Sequence, residues 1–172
     1  EAEKRDQIVS GYFGEGGVKN ITESIVKYLL SPPKLRFNAT ILDVGAGSGF
    51  FTVKVAEEVH RRVPGAAFYA VDITPAMLSV LAKKTSTITP FLGVAENIGG
   101  SIGHARKYLK VPSRFDAVFS TLTLHHCSDT KKVFGSIRSI LKDYGKAVVI
   151  DLCEHSFKEF REEMGDLHLG FN

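Results

Sequence analysis

The feature that most constrains this chain is the glycine-rich run Asp43-Val44-Gly45-Ala46-Gly47-Ser48-Gly49, which follows an apolar stretch of strand length. Glycine is needed where the backbone takes a positive φ or where a ligand approaches it closely. A helical pattern starts directly afterwards, at Phe50. The run therefore predicts a turn from a buried strand into a helix, with a nucleoside cofactor bound at the turn. The alternative is a tight turn without a ligand.

Short apolar runs alternate with helical patterns from residue 39 onward. Strands are predicted at 39–44, 66–71, 89–94, 115–120 and 146–152, and helices at 50–61, 75–84, 98–110 and 129–142. Strands that are nearly continuous in apolar residues are typical of sheets covered on both faces. The pattern predicts an α/β fold, namely a doubly wound, mostly parallel sheet of about five strands with helices on both faces. Ligands of such sheets bind outside the carboxyl ends of the strands.

The part of the chain before this core has a different composition. Residues 38–172 are expected to form a Rossmann-like domain, and residues 1–37 an N-terminal segment with an amphipathic helix at 18–30. Residues 1–17 are rich in glycine and are expected to be mobile, or ordered only against a partner or ligand. Tyr12 and Phe13 in this segment are candidates for a lid over the cofactor. The alternative is that they pack on the first helix.

Composition limits the class of protein. With 172 residues, 44% hydrophobic and 24% charged, the chain is predicted to be one globular domain. The net charge is +3 and the basic residues are scattered, which disfavours a nucleic-acid partner. No apolar run approaches the roughly 20 residues of a membrane helix, so no membrane association is expected. Two cysteines do not make a disulfide framework, which favours a cytoplasmic location.

An acidic residue ends the predicted second strand, at Val71-Asp72. A carboxylate at this position accepts hydrogen bonds from both hydroxyls of a ribose. The nicotinamide fingerprint G-x-G-x-x-G would need a glycine at Phe50, and a dinucleotide loop must bind a pyrophosphate. Here acidic Asp43 precedes the first glycine instead, which suits a positively charged cofactor without phosphate.

Four segments, at 41–49, 70–78, 115–126 and 141–151, together resemble the class I (Rossmann-like) S-adenosylmethionine-dependent methyltransferases, in particular the quinone- and metabolite-methylating branch. The resemblance covers about residues 38–152. It implies S-adenosylmethionine as cofactor, S-adenosylhomocysteine as product and methyl transfer to a small molecule. The cofactor-binding residues that it implies are Asp43, Gly45, Ala46, Gly47, Gly49, Asp72, Ile73, Met77, Ala95, Glu96 and Thr121.

One departure from the family concerns the adenine. Many relatives place an Asp-Ala pair after the third strand, and the aspartate meets the adenine amino group. Here Val94 stands at the aspartate position, before Ala95 and Glu96. The backbone of Ala95 is still expected to face the ring. Glu96 either replaces the aspartate or is a solvated start of a helix.

His125 and His126 follow the fourth strand and are the candidate catalytic residues. Imidazole titrates near neutral pH and suits a general base, if the acceptor needs one. The alternative is that one histidine packs and the other is solvated. The chain lacks both the Asn/Asp-Pro-Pro-aromatic tetrad of many amino-methylating enzymes and a Pro-Cys nucleophile, which favours a small-molecule acceptor. An RNA or protein acceptor, or a non-catalytic cofactor-binding module, stays open.

Cysteine and histidine also occur together after two strands. Cys127 joins His125 and His126 after the fourth, and Cys153 and His155 follow the fifth. Such groups bind zinc or a thiophilic metalloid. Their spacing is not that of a C-x-x-C site, so ordinary thiols are preferred and no metal is predicted.

The end of the chain is short for this family, whose sheet usually adds an antiparallel hairpin after the fifth strand. Residues 155–167 are predicted to form a helix, with no strand after it. The chain is then either a fragment or has lost the hairpin. An open edge favours association. We therefore expect residues 155–172 or a second copy of the chain to cover the fifth strand.

Overall fold

The computed structural model of the protein describes residues 2–172, without the side chains of residues 2, 3 and 163. Its strands are β1 (Thr40–Val44), β2 (Ala67–Asp72), β3 (Ile88–Leu92), β4 (Phe115–Thr121) and β5 (Leu141–Ile150). They form one sheet in the order β3-β2-β1-β4-β5, and every pair is parallel. The chain order reverses between β1 and β4, which places the topological switch point at the end of β1.

The helices are α1 (Ala2–Leu30), α2 (Phe50–His60), α3 (Pro75–Lys84), α4 (Ile98–Ala105), α5 (Thr130–Ile140) and α6 (Glu159–Glu163). Two 3₁₀ turns, Ala95–Asn97 and Leu124–His126, follow β3 and β4. Among the described residues, no helix combines the length and the apolar character that crossing a membrane requires.

Two apolar clusters cover the two faces of the sheet. Successive residues of β1 point to opposite faces, and Ile41 belongs to one cluster while Leu42 belongs to the other. The first cluster includes side chains of α1, α2 and α3, and the second includes side chains of α4 and α5. The predicted fold class is therefore confirmed.

The N-terminal segment differs from the expectation of a mobile glycine-rich stretch. Residues 2–13 are helical, and α1 is broken at Gly14, which has φ 61° and ψ 172°. Glycine adopts this left-handed φ without steric cost. The break changes the direction of the helix. The part of α1 before Gly14 therefore extends to the carboxyl ends of the strands.

The C-terminal part also differs from prediction. α5 ends at Ile140, and β5 starts at Leu141 and not at residue 146, with a register shift opposite residues 115–117. The predicted helix at 155–167 is reduced to Glu159–Glu163. The last residues turn back, so that Phe171 pairs with Cys153 just beyond β5. This pairing covers the continuation of β5, and association of two chains along β5 itself stays a prediction.

Candidate active site

A cleft of about 370 Å³ opens at the carboxyl ends of β1, β2 and β4. This volume lies in the range of small-molecule and cofactor sites. Of the implied cofactor-binding residues, all except Gly49 line it. The cleft thus lies where a doubly wound sheet binds its ligands.

The glycine loop forms the floor of the cleft. Gly45, Gly47 and Gly49 all have positive φ, between 54° and 78°. The backbone amides of Gly45 and Ala46 both donate to the carbonyl of Val71, at 2.8 and 3.1 Å, which ties the loop to β2. A Cβ on Gly45 would lie 2.1 Å from Cγ2 of Thr123, whereas a Cβ on Gly47 would meet open space. Gly47 therefore leaves room beside its backbone on the cleft side.

Gly49 has a different role from the one that the sequence suggested. It caps α2 with φ 78°, and a Cβ there would lie 2.3 Å from Cδ1 of Leu81. Its missing side chain thus permits close packing of α2 against α3. It shapes the loop without lining the cleft.

The Asp72 carboxylate shapes the loop from the side. Its Oδ2 accepts a hydrogen bond from the Gly47 amide at 2.8 Å, and its Oδ1 accepts one from the Thr74 amide at 2.8 Å. Asp72 is half-buried and lines the cleft. A carboxylate has about four lone-pair positions, so both oxygens can still accept hydrogen bonds from a ligand.

Asp43 is a buried acid at the end of β1, with 2% of its surface exposed. Burial raises its pKa to about 7, against the hydrogen bond that Thr52 donates at 2.6 Å, and the nearby Asp72 carboxylate adds to the rise. A raised pKa means that the charged form lacks a counter-charge. A cation in the cleft would supply it.

Other lining atoms also lack partners. The hydroxyl of Thr121 is buried and has no hydrogen-bond partner within the described structure. Ile73 and Val94 are apolar yet 68% and 36% exposed. Exposed apolar walls and an unpaired buried hydroxyl are typical of a site built for a mixed polar and apolar ligand.

The two candidate histidines have different surroundings. His126 lines the cleft, and its Nε2 accepts a hydrogen bond from Arg5 at 2.8 Å. Burial, then the charges of His125 and Arg5, lowers the pKa of His126, which keeps this ring neutral at neutral pH. His125 is 6% exposed and forms a hydrogen bond with Asp151. Among the described residues, it does not line the cleft. His125 is therefore placed to support the turn and not to contact an acceptor.

The cysteines do not form the cluster that the sequence allowed. Cys127 lines the cleft, but burial, aided by the carboxylates of Glu96 and Asp151, raises its pKa to about 11. Cys153 is exposed, and the ring of His155 packs near Phe157 and Phe160. Neither thiol belongs to the group of possible metal ligands among the described side chains.

Three lining residues come from α1 and were missed by the sequence argument. Arg5, Asp6 and Val9 lie on the first half of α1 and face the cleft. Asp6 accepts hydrogen bonds from Ser48 and, at 2.6 Å, from Lys84. Tyr12, proposed as a lid residue, packs edge-on against Phe160 instead, and neither it nor Phe13 lines the cleft. The spacing of Arg5, Asp6 and Val9, at i, i+1 and i+4, places them on one side of a helix, and this pattern could have indicated a shared surface.

Comparison with known proteins decides the family. A family model described as a methyltransferase domain matches residues 35–168. The chain belongs to the methyltransferase-domain family. The resemblance to class I S-adenosylmethionine-dependent methyltransferases is thereby confirmed.

Relatives of this methyltransferase domain extend the comparison. Malonyl-[acyl-carrier protein] O-methyltransferase of Nitrosospira multiformis is 30% identical over 71% of this chain and 41% of its own length. The ubiquinone/menaquinone biosynthesis C-methyltransferase of Rickettsia akari is 27% identical over 72% of this chain and 49% of its own. The solved structure of Haemonchus contortus phosphoethanolamine N-methyltransferase 2 in complex with S-adenosyl-L-methionine superposes with a TM-score of 0.62. It is 26% identical and covers 89% of this chain and 34% of that one. The chain thus spans less than half the length of each relative.

Proposed function

We propose that this domain binds S-adenosylmethionine in the cleft and transfers its methyl group to a small-molecule acceptor. The observation that carries the proposal is the arrangement of the buried acid Asp43, the loop with positive φ and the Asp72 carboxylate around one cleft. The named relatives methylate small molecules or carrier-bound acyl groups, which supports the acceptor class.

The residues of the cleft fit the chemical groups of this cofactor. Asp72 is placed to accept hydrogen bonds from the ribose hydroxyls. The open side of Gly47 leaves room for the backbone to approach the amino-acid end, and Asp43 offers a negative charge to its ammonium. Ile73 and Val94 provide apolar faces for the adenine, and Glu96 lines the same part of the cleft as a candidate acceptor for its amino group.

The chemical step asks little of the protein. S-adenosylmethionine supplies a methyl group on a sulfonium, which is already activated for transfer. The chain must exclude water and align the acceptor, which is worth several orders of magnitude in rate. His126, neutral at the mouth of the cleft, is the candidate that removes a proton from an acceptor hydroxyl or amine through a free ring nitrogen. Because Arg5 now bonds its Nε2, this role requires Arg5 to move.

The first half of α1 is proposed to act as a lid. It crosses the cleft from the glycine loop and α3, where Asp6 meets Ser48 and Lys84, to the acceptor side, where Arg5 meets His126. Gly14 breaks the helix behind it and provides the hinge. Opening this half of α1 would admit the cofactor, and closing it would exclude water.

We expect Asp6→Asn to speed release of S-adenosylhomocysteine by about 2–5-fold, because partly exposed ion pairs are worth up to about 1 kcal/mol. Glu15→Gln is the matched control, since this exposed carboxylate lies on α1 beyond Gly14. Stopped-flow displacement measures the rate. Equal release rates for the two variants would contradict the lid.

Methyl transfer from labelled S-adenosylmethionine into fractionated cell extract tests the function. We expect label in the small-molecule fraction, followed by identification of the product. Label found only in RNA or only in protein would show that the acceptor is that macromolecule and not a small molecule. Cofactor binding without label in any fraction would favour a non-catalytic binding module.

A further inference from the structure

A cluster of three polar side chains lies beside the cleft, away from the glycine loop. His125, His126 and Asp166 each offer one ligand atom, and these atoms lie within 4.8 Å of one another. We propose that the three side chains form a zinc site that fastens the C-terminal segment to the turn after β4. The proposal does not depend on the cofactor. It is an alternative to the base role of His126, because zinc on Nδ1 leaves the ring hydrogen on Nε2 and no nitrogen free to accept a proton.

Asp166 carries the strongest sign of a missing partner. Asp166 is 4% exposed, and its Oδ1 has no hydrogen-bond partner among the described residues. A buried carboxylate oxygen without a partner is costly, and buried charges are normally paired or bound to a metal. The same oxygen faces both histidines, at 3.8 Å from Nε2 of His125 and 3.5 Å from Nδ1 of His126.

His125 is already oriented as a metal ligand would be. Its Nδ1 lies 2.6 Å from Oδ1 of Asp151. The other oxygen of Asp151, Oδ2, accepts hydrogen bonds from the backbone amides of Thr123 and Leu124. Because a carboxylate only accepts, His125 donates through Nδ1, and in its neutral form the ring presents the lone pair of Nε2 to Asp166. Ligating histidines commonly donate their second nitrogen to a carboxylate in this way.

The distances suit a small tetrahedral ion. Zinc binds imidazole nitrogen and carboxylate oxygen at about 2.0–2.2 Å, which separates tetrahedral ligand atoms by roughly 3.3–3.6 Å. The two separations from Asp166 Oδ1, 3.5 and 3.8 Å, need only a small inward shift. The ligand nitrogens of the two histidines lie within 4.8 Å of each other and must also move closer. Three protein ligands leave a fourth position for water.

Backbone contacts hold Asp166 in place. The amides of Leu167 and His168 both donate to the carbonyl of His125, at 2.9 and 3.0 Å. The ring of His168 lies 3.0 Å from the carbonyl of Cys127. The two residues that follow Asp166 are thus anchored to residues 125 and 127, and a zinc ion would complete this attachment.

His126 links the site to the lid. A guanidinium only donates hydrogen bonds, so Nε2 of His126 accepts from Arg5 and the hydrogen of the neutral ring lies on Nδ1. Zinc at Nδ1 moves that hydrogen to Nε2, which then no longer accepts from Arg5. Zinc binding and the Arg5 contact therefore compete, and Arg5→Ala should bind zinc more tightly than the wild-type protein.

Calorimetric titration of chelator-treated protein with Zn²⁺ tests the site. We expect one zinc ion per chain and a higher melting temperature with zinc, since a ligand of the folded state stabilises it. Asp166→Asn should weaken zinc binding beyond the about 10–100-fold that loss of an outer partner costs. Cys153→Ser, which removes the exposed thiol, should bind zinc as the wild type does.

Several results would overturn the site. They are the absence of zinc uptake by the wild-type protein, unchanged affinity in Asp166→Asn or Arg5→Ala, and loss of binding in Cys153→Ser. If Asp166→Asn fails to fold, the visible spectrum of the Co²⁺-loaded wild-type protein decides. Tetrahedral bands without a thiolate band support the site, and a thiolate band contradicts it.

Discussion

Replacing Asp72 by alanine is expected to weaken binding of S-adenosylhomocysteine by about 1–3 kcal/mol, or roughly 5–150-fold. The carboxylate is placed to accept from the ribose hydroxyls, and it also accepts from the amides of Gly47 and Thr74. The variant therefore removes the ligand's partner and loosens the loop below it. Isothermal titration calorimetry gives the affinity directly.

Two variants separate these effects from general damage. Asp72→Asn keeps one accepting oxygen, and we expect its affinity to lie between those of the wild type and the alanine variant. Asp143→Ala removes an exposed acid on β5, far along the chain from the loop, and should leave binding unchanged. If Asp72→Ala binds as tightly as the wild type, the ribose lies elsewhere.

Asp43 is expected to make the stability of the ligand-free protein fall as pH rises from about 4 to 7. Its pKa is 3.8 in the unfolded chain and about 7 in the fold. Between these values the folded protein keeps a proton that the unfolded chain has lost, so raising the pH favours unfolding. Above pH 7 the loss is complete and amounts to roughly 4 kcal/mol.

The variant Asp43→Asn has no such proton. Urea unfolding gives the free energy of unfolding of both proteins at pH 5 and at pH 8. The change between the two pH values in the wild type, minus the same change in the variant, is the contribution of Asp43. We expect the wild type to lose stability relative to the variant on going to pH 8, and parallel pH profiles would refute the buried-acid argument. Because a cation in the cleft favours the ionised form, cofactor affinity should rise between pH 6 and 8 in the wild type and change less in the variant.

The positions of the glycine loop and Asp72 in the fold were predictable because their signals are local. The positive φ of Gly45, Gly47 and Gly49 follows from residues within a few positions. The rule that ligands meet the carboxyl edge of a parallel sheet then placed the loop and Asp72 together. No long-range information was needed for this part of the site.

The N-terminal contribution was not predictable in the same way. Glycines at 11, 14, 16 and 17 lower helix propensity, and nothing nearby compensates. What holds the first half of α1 is tertiary, namely Asp6 with Ser48 and Lys84, and Arg5 with His126. Those partners lie more than 40 residues away along the chain.

The C-terminal placements depend on distant partners too. β5 extends back to Leu141 because that residue pairs with Phe115, and Lys142 binds Asp116 at 2.6 Å. Asp166 reaches the two histidines only because the chain turns back at Gly165, whose φ is 75°. The apolar spacing at 155–167 predicted one helix, but the chain reverses direction within this segment. Only Glu159–Glu163 is therefore helical.

Calorimetric titration of the wild-type protein with S-adenosylhomocysteine, and separately with NAD, tests the central claim most directly. The cleft combines a buried acid with a loop that has no third dinucleotide glycine, since Phe50 occupies that position. We predict saturable binding of S-adenosylhomocysteine at one molecule per chain and no binding of NAD. Binding of NAD without binding of S-adenosylhomocysteine would contradict the account.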